Sequence, residues 1–387
     1  MMRETIYLDH AATTPLLPAA REAMERGFAI WANPSSPHRA GRGARAALEE
    51  ARERVKAALG WQGEVVFTSG ASEAIALAIT RCLLPLAAVS AVEHEAVLRH
   101  LKSSPARGGG PTKPMEGTGG ARNDASGREP PPSSLRDATS PERGGLIAVD
   151  RFGLVNPADC ALPGLVAVQQ ANNETGVMQP MEAIADAVRG AGGLLLCDAA
   201  QGAGKLLTPD ADLIALSAHK FGGPVGVGAL LVKDWAMLRP TGGQERGYRP
   251  GTENLPGVLA MAAALEADRG WLDEAVRLRH RLDDAILEAD GTSIAEETAR
   301  VPSIAAYRMP GKSANAQLIR FDAMGFAVSA GSACSSGSLR TSHVLEAMDI
   351  ANPDEVIRVS IGRETTEQKI DAFITAWRHV AGTGTAA

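Results

Sequence analysis

Short apolar runs ending in polar residues alternate with helical stripes through the first two-thirds of the chain, and this alternation limits the fold more than any other feature. Glu64–Thr68, residues 86–92, Leu165–Gln169, Leu194–Asp198, Leu213–Ser217 and Gly228–Val232 read as strands. Between them, residues 44–59 place Ala47, Leu48, Ala51, Val55 and Leu59 on one helical face, and residues 72–84 and 181–191 read as crossover helices. Such alternation predicts an α/β fold, with a mostly parallel central sheet sandwiched by helices. From about residue 253 the pattern changes to one long helix through residue 287, then a mixed tail. The last helix is predicted to open on a capping box of Thr365 and Gln368.

With 387 residues, 45% of them hydrophobic and 22% charged, the chain can bury a full core in one large or two medium units. A net charge of −6 gives no reason to expect nucleic acid or an anionic membrane as a partner. Apolar stretches are strand-length, too short to span a bilayer. The first residues, Met1 to Thr5, lack an apolar leader core, so a cytoplasmic protein is expected. Cys82, Cys160, Cys197 and Cys334 are scattered without paired spacing, which argues against a disulfide framework or a structural zinc site.

One segment breaks the pattern. Residues 105–145 contain 9 Gly, 7 Pro and 4 Ser, with Met115 and Leu135 the only large apolar side chains. That composition cannot offset the entropy of ordering, so a flexible surface insertion is expected.

Chemistry gathers at the strand ends. Lys220 closes the run from Asp212 and precedes a glycine-rich turn, Phe221 to Gly228. A lysine at the mouth of a buried strand loses water, which lowers an ammonium's pKa, and a neutral amine can form an imine with an aldehyde. Asp198 ends another strand. An acid able to pair with a pyridinium nitrogen, together with an imine-forming lysine, is the pairing expected around pyridoxal phosphate. Either residue alone reads better as a solvated strand cap; the two together do not.

Further groups follow strands in the same sense. Thr68 to Glu73 offers small residues and backbone N–H groups to a phosphate at a helix start, although a plain helix cap would look the same. His94 can stack on a flat ring and carry protons near neutral pH. Asn173 and Ser217 lie at the same edge, where ligands of open parallel sheets collect. Ser329 to Ser338 has no large side chain, so Cys334 within it has the accessibility that a reactive thiol needs. Arg358, inside an apolar strand, calls for a carboxylate partner.

Taken in order, these motifs resemble the cysteine desulfurases of the class V aminotransferase family. The similarity runs through Tyr7 to Pro15, Asn33 to His38, Thr68 to Glu73, Glu93 to Val97, Asn172 to Gly176, Asp198 to Gln201, Ser217 to Lys220, Gly243 to Asn254, the cysteine loop and Ser342 to Leu345. The resemblance implies the type I pyridoxal-phosphate transferase fold and conversion of L-cysteine to L-alanine. It implies that Lys220 holds pyridoxal 5'-phosphate, that Asp198 pairs with the ring nitrogen and that His94 stacks on the ring. Asn173 and Gln201 would lie near the phenolic oxygen. Ala71, Ser72, Ser217 and His219 would hold the phosphate, with Thr252 reaching over from a second subunit of a homodimer. Asn33 and Arg358 would bind the substrate carboxylate. Cys334 would take the sulfur as a persulfide and pass it to an acceptor protein for iron–sulfur assembly or tRNA thiolation. No resident metal is implied, only a transient contact of Cys334 with an iron–sulfur cluster. The expected units are a large one, 15–254, and a smaller α/β one, 1–14 with 255–387. Ala74, Ile75, Ala200 and Val225 depart from residues usual in the family. A selenocysteine lyase, or a cofactor-binding relative without turnover, remains the alternative.

Overall fold

The structure, a computed structural model, describes residues 5–102, 145–331 and 341–383. Residues 105–144 of the expected insertion, and 332–340 with Cys334, lie outside them.

The chain opens with a two-residue strand β1 (Ile6–Tyr7) and helices α1 (Pro18–Ala29) and α2 (Arg39–Leu59). Strand β2 (Glu64–Thr68), α3 (Ala71–Arg81), β3 (Leu86–Ser90), α4 (Glu95–Lys102), β4 (Gly145–Ile147), β5 (Leu165–Gln169), α5 (Met181–Gly190), β6 (Leu194–Asp198), β7 (Leu213–Ser217) and β8 (Gly228–Val232) follow. These seven strands form one sheet in the order β2-β8-β7-β6-β5-β3-β4. Only β8 runs against the others, so the sheet is mostly parallel.

The strands are apolar on both faces because both faces are covered. Val166 and Val168 join Ile214 and Leu216 in a core beneath α1, α2, α5 and α6 (Leu255–Leu265). Their neighbours Leu165, Ala167, Leu213 and Ala215 point the other way, into a core under α3 and α4. The two-residue period of a strand produces this split. On α2 the stripe Ala44, Leu48, Ala51, Val55 and Leu59 is buried, and Gly60 ends the helix in the left-handed conformation at φ +63°.

After α6 come α7 (Trp271–Glu288), β9 (Thr292–Ser293), β10 (Ile304–Arg308), α8 (Ala314–Ala323), β11 (Phe326–Ala327), α9 (His343–Ala347), β12 (Val356–Ser360) and α10 (Glu367–Ala381). Strands β12, β10 and β9 form an antiparallel sheet, packed through Tyr307, Ile357 and Val359 against α7, α8 and α10. Strand β1 pairs in parallel with β11, and Leu8 enters this second core.

Two expectations are corrected. The long helix from 253 to 287 is two helices, broken where the Asp268 carboxylate accepts the Gly270 N–H at 3.0 Å. Asx-type bonding of this kind gives the backbone an alternative to the helix. The last helix is capped by Thr366, whose side chain accepts from Lys369 N, while Thr365 Oγ1 accepts the Gly362 N–H. The expected box from Thr365 to Gln368 is absent.

Candidate active site

The carboxyl ends of β2, β5, β6 and β7 open on a cavity of about 550 Å³, within the usual size range of small-molecule sites. It is roofed by the segment after β1 and by Arg358 of β12. Of the residues singled out in the sequence, Ala71, Ser72, His94, Asn173, Asp198, Gln201, Ser217, His219, Lys220 and Arg358 line it. Asn33 and Thr252 are exposed and do not line this cavity. Asn33 uses its Oδ1 to accept the Ser35 N–H at 2.9 Å.

Lys220 ends a short 3-10 turn, Ala218–Lys220, directly after β7. Its Nζ donates to the carbonyls of Ala11 at 2.7 Å and Ala12 at 2.9 Å. The N-terminal segment is in turn tied to this turn, because Thr14 N donates to His219 O and Thr14 Oγ1 to Lys220 O.

Asp198 is buried at the end of β6. One carboxylate oxygen accepts the Ala200 N–H at 2.9 Å, and among the described residues no hydrogen bond reaches the other. Burial raises its pKa, while the Ala200 N–H, His94 and Lys220 oppose the rise. A buried carboxylate of this kind calls for a cationic or N–H partner. His94 Nδ1 accepts the Ala96 N–H at 3.1 Å. Burial also lowers its pKa, against the pull of Asp198. The ring is therefore neutral near pH 7, with its proton on Nε2.

At the opposite end of the cavity, Ser69, Gly70, Ala71 and Ser72 lead into α3, whose first-turn N–H groups have no intrahelical partners. Close packing requires glycine below this turn: a Cβ on Gly228 would sit 2.5 Å from Gly70 Cα. Glu73 accepts from Ser69 N and from Arg249 Nε, the latter at 3.0 Å. Burial pushes its carboxyl up, but these bonds outweigh that and leave it below the usual range. Ser217 and His219 complete this end. His219 shares a hydrogen bond with Thr13 Oγ1 at 3.2 Å, and burial, with Lys220 and Lys205, lowers its pKa to about 4.

Arg358 is buried on β12, where its Nη2 donates to Asp9 at 2.7 Å and its Nη1 to the Asn173 carbonyl at 3.0 Å. Among the described residues its buried Nε has no hydrogen-bond partner. Arg358 lines the cavity, and a guanidinium there suits an incoming carboxylate. Glu174, next to Asn173, is buried and accepts from Ser342 Oγ. Gly331 lies so close to it that a Cβ there would meet the carboxylate at 1.9 Å. The two residues flanking 332–341 thus meet on one carboxyl group. Sequence reasoning missed Asp9, Glu174 and the carbonyls of Ala11 and Ala12. Asp9 and Glu174 lie inside quoted motifs, but their partners are remote in sequence.

Lysine-centred chemistry at the carboxyl edge of a parallel sheet is the class of enzyme this geometry defines. The chain belongs to the aminotransferase class-V family, which matches residues 6–109 and 159–373. A cysteine desulfurase of Gluconacetobacter diazotrophicus is 36% identical to it, over 95% of this chain and 91% of its own length. One from a Frankia species is 37% identical over 94% and 88%. The solved structure of a NifS-like protein from Rickettsia africae has a TM-score of 0.79 at 26% identity, covering 97% of this chain and 99% of its own.

Proposed function

We propose that this protein is a pyridoxal 5'-phosphate-dependent cysteine desulfurase, which removes sulfur from L-cysteine, releases L-alanine and carries the sulfur as a persulfide on Cys334. The observation that carries this reading is the convergence of Lys220, buried Asp198 and neutral His94 on a cavity walled by Arg358. Membership of the class V family and likeness to relatives named cysteine desulfurase support it.

The residues fit the cofactor. Asp198 would take the ring nitrogen, Lys220 the aldehyde carbon, and the turn from Gly70 to Ser72, with Ser217 and His219, the phosphate. Asn173 and Gln201 would flank the phenolic oxygen. When bound, the group supplies an electron sink that makes the bonds around the amino acid's α-carbon labile. Arg358 orients the substrate through its carboxylate. Lys220 Nζ is the base at the α-carbon, and His94, with its proton on Nε2, presents a neutral face to the ring. The Cys334 thiolate then attacks the substrate sulfur. An S–S bond forms, the C–S bond breaks with its electron pair on carbon, and protonation there yields alanine.

The division into a large unit, 15–254, and a smaller one, 1–14 with 255–387, is also part of this reading. Helix α6 lies in the core of the first and would move with it. A homodimer would let Thr252, exposed here, reach the partner's phosphate site. An acceptor protein for iron–sulfur assembly or tRNA thiolation would take the sulfur. Among the described residues no helix is long and apolar enough to cross a membrane.

The test is an alanine and sulfide assay with L-cysteine, beside Cys334→Ala. The variant should still bind cofactor and L-cysteine but produce neither alanine nor protein-bound sulfur at a useful rate. Full alanine production by Cys334→Ala would reject the desulfurase reading.

A further inference from the structure

Lys205 does not line the cavity, yet it stands behind the residues that do. It lies in the turn after β6, and its Nζ donates to Gln201 Oε1 at 3.4 Å. Gln201 Nε2 donates to the Ala11 carbonyl at 2.9 Å, which also accepts from Lys220 Nζ at 2.7 Å. A hydrogen-bonded chain therefore links one lysine to the other through an amide and a single carbonyl. Lys205 keeps some exposure as a residue, but protein surrounds its amine closely enough that burial, with the charge of Lys220, lowers its pKa to about 7.

The groups facing this pair are mostly basic. His10, buried with its Nδ1 unpartnered among the described residues, is lowered to about 4 by burial, with Lys205 and then Lys369 of α10 contributing against a hydrogen bond to the Tyr7 backbone. His219 is lowered to about 4 by burial, Lys220 and Lys205. Asp198 and His94 face Lys220 from the β6 and β3 side. Both histidines are neutral at physiological pH. Lys205 is thus the group on this side whose charge changes near pH 7.

We propose that Lys205 is a positioning residue for the cofactor-bearing nitrogen of Lys220, holding the Gln201 amide in one orientation and placing a positive charge behind that nitrogen. The proposal rests on the reading that Lys220 carries pyridoxal phosphate. The amide orientation follows from bonding: Oε1 is engaged by a donor, so the Nε2 face is left for Ala11 and for an acceptor in the cavity. The charge disfavours a second proton nearby, so the Lys220 nitrogen holds its proton less tightly while Lys205 is cationic.

The test is the pH dependence of the visible absorption of the cofactor-loaded protein, which needs no turnover. Lys205→Met should move the midpoint upward by about half a pH unit or more. Lys205→Arg, a permanent cation, should leave it in place or move it downward. Lys205→Gln, with a polar but neutral end, should follow Lys205→Met and serves if the methionine variant loads poorly. A midpoint unchanged or lowered in the neutral variants, or an arginine variant that moves upward with them, overturns the proposal alone. If wild-type protein shows no pH-dependent visible band, and borohydride leaves no pyridoxyl label on Lys220, the cofactor reading fails and this inference with it.

Discussion

Replacing Glu245 with glutamine should destabilise the protein well beyond the usual cost of a surface change. Strand β2 is one of the two edge strands of the seven-stranded sheet, so half its backbone groups face away from β8. Unpaired edges of this kind invite association with other chains. Here a buried ion pair closes the edge. Arg52 Nη1 donates to the Val65 carbonyl, and the Phe67 N–H donates to Glu245 Oε2 at 2.8 Å. The two side chains bind each other through two hydrogen bonds, 2.9 and 3.0 Å, and retain only 4% and 1% exposure. The guanidinium also lies 4.7 Å from the Phe67 ring centroid. Glu245 achieves this from a left-handed backbone at φ +48°, a strain that the clamp must outweigh. Removing the Glu245 charge leaves the buried guanidinium only the more exposed Glu49, 3.1 Å from its Nε, as a charged partner, at a cost of about 3–5 kcal/mol. At roughly 2–4 °C per kcal/mol for a domain of this size, the loss in Tm should be about 6–20 °C. Differential scanning fluorimetry of loaded protein reads it. Arg52→Met combined with Glu245→Gln should be less destabilised than the sum of the singles, by about 1 kcal/mol or more, because no lone charge remains. A Tm loss under about 2 °C for Glu245→Gln, or strict additivity in the pair, would refute the reasoning.

Two further outcomes follow from the site. Arg358→Lys keeps a charge near Asp9 but removes the planar guanidinium fork of a cavity-lining residue; losing one charged hydrogen bond of about 1.5–3 kcal/mol should raise KM for L-cysteine about 10- to 150-fold. The visible band should stay unchanged, and a KM within about twofold of wild type would show that the substrate carboxylate binds elsewhere. The site should also need two chains, because Thr252 is exposed and outside the cavity; sedimentation that finds an active, cofactor-loaded monomer at assay concentration would exclude its proposed role.

How much of this was legible in the sequence depended on how local each cause is. Strands β5 to β8 match the expected runs residue for residue, since each is a five-residue apolar segment between polar ends. Asp198 and Lys220 were found for the same reason: polar residues at the end of such a run stand out. Helix α6 was harder to delimit, because it is buried along its whole length. Without a polar face it has no periodicity to lose, so its end was marked only by the turn residues Asp268 to Gly270. Strand β10 went unread in the mixed tail, and β11, two residues long, is too short to carry a pattern.

The site divides along the same line. The side chains at the sheet's carboxyl edge are fixed by strands that announce themselves, whereas the contacts that aim them join distant parts of the chain. Asp9 meets Arg358 across 349 positions, and Ser342 meets Glu174 across 168. Lys220 meets the Ala11 carbonyl across 209, and Arg52 meets Glu245 across 193. None of these pairs has a local signature: the first three lie where the second sheet packs its β12 edge beside the segment after β1 and over the ends of the first, and the fourth closes the β2 edge of the first sheet. That packing is set by the core around Leu8, Tyr307, Phe321 and Trp377, whose bulk says where a core lies but not which polar groups will face one another across its border. The same arrangement explains why the N-terminal motif from Tyr7 to Pro15 contributes carbonyls and one carboxylate, and no nucleophile, to the cavity: it is the strap that ties the lysine of the first sheet to the arginine of the second.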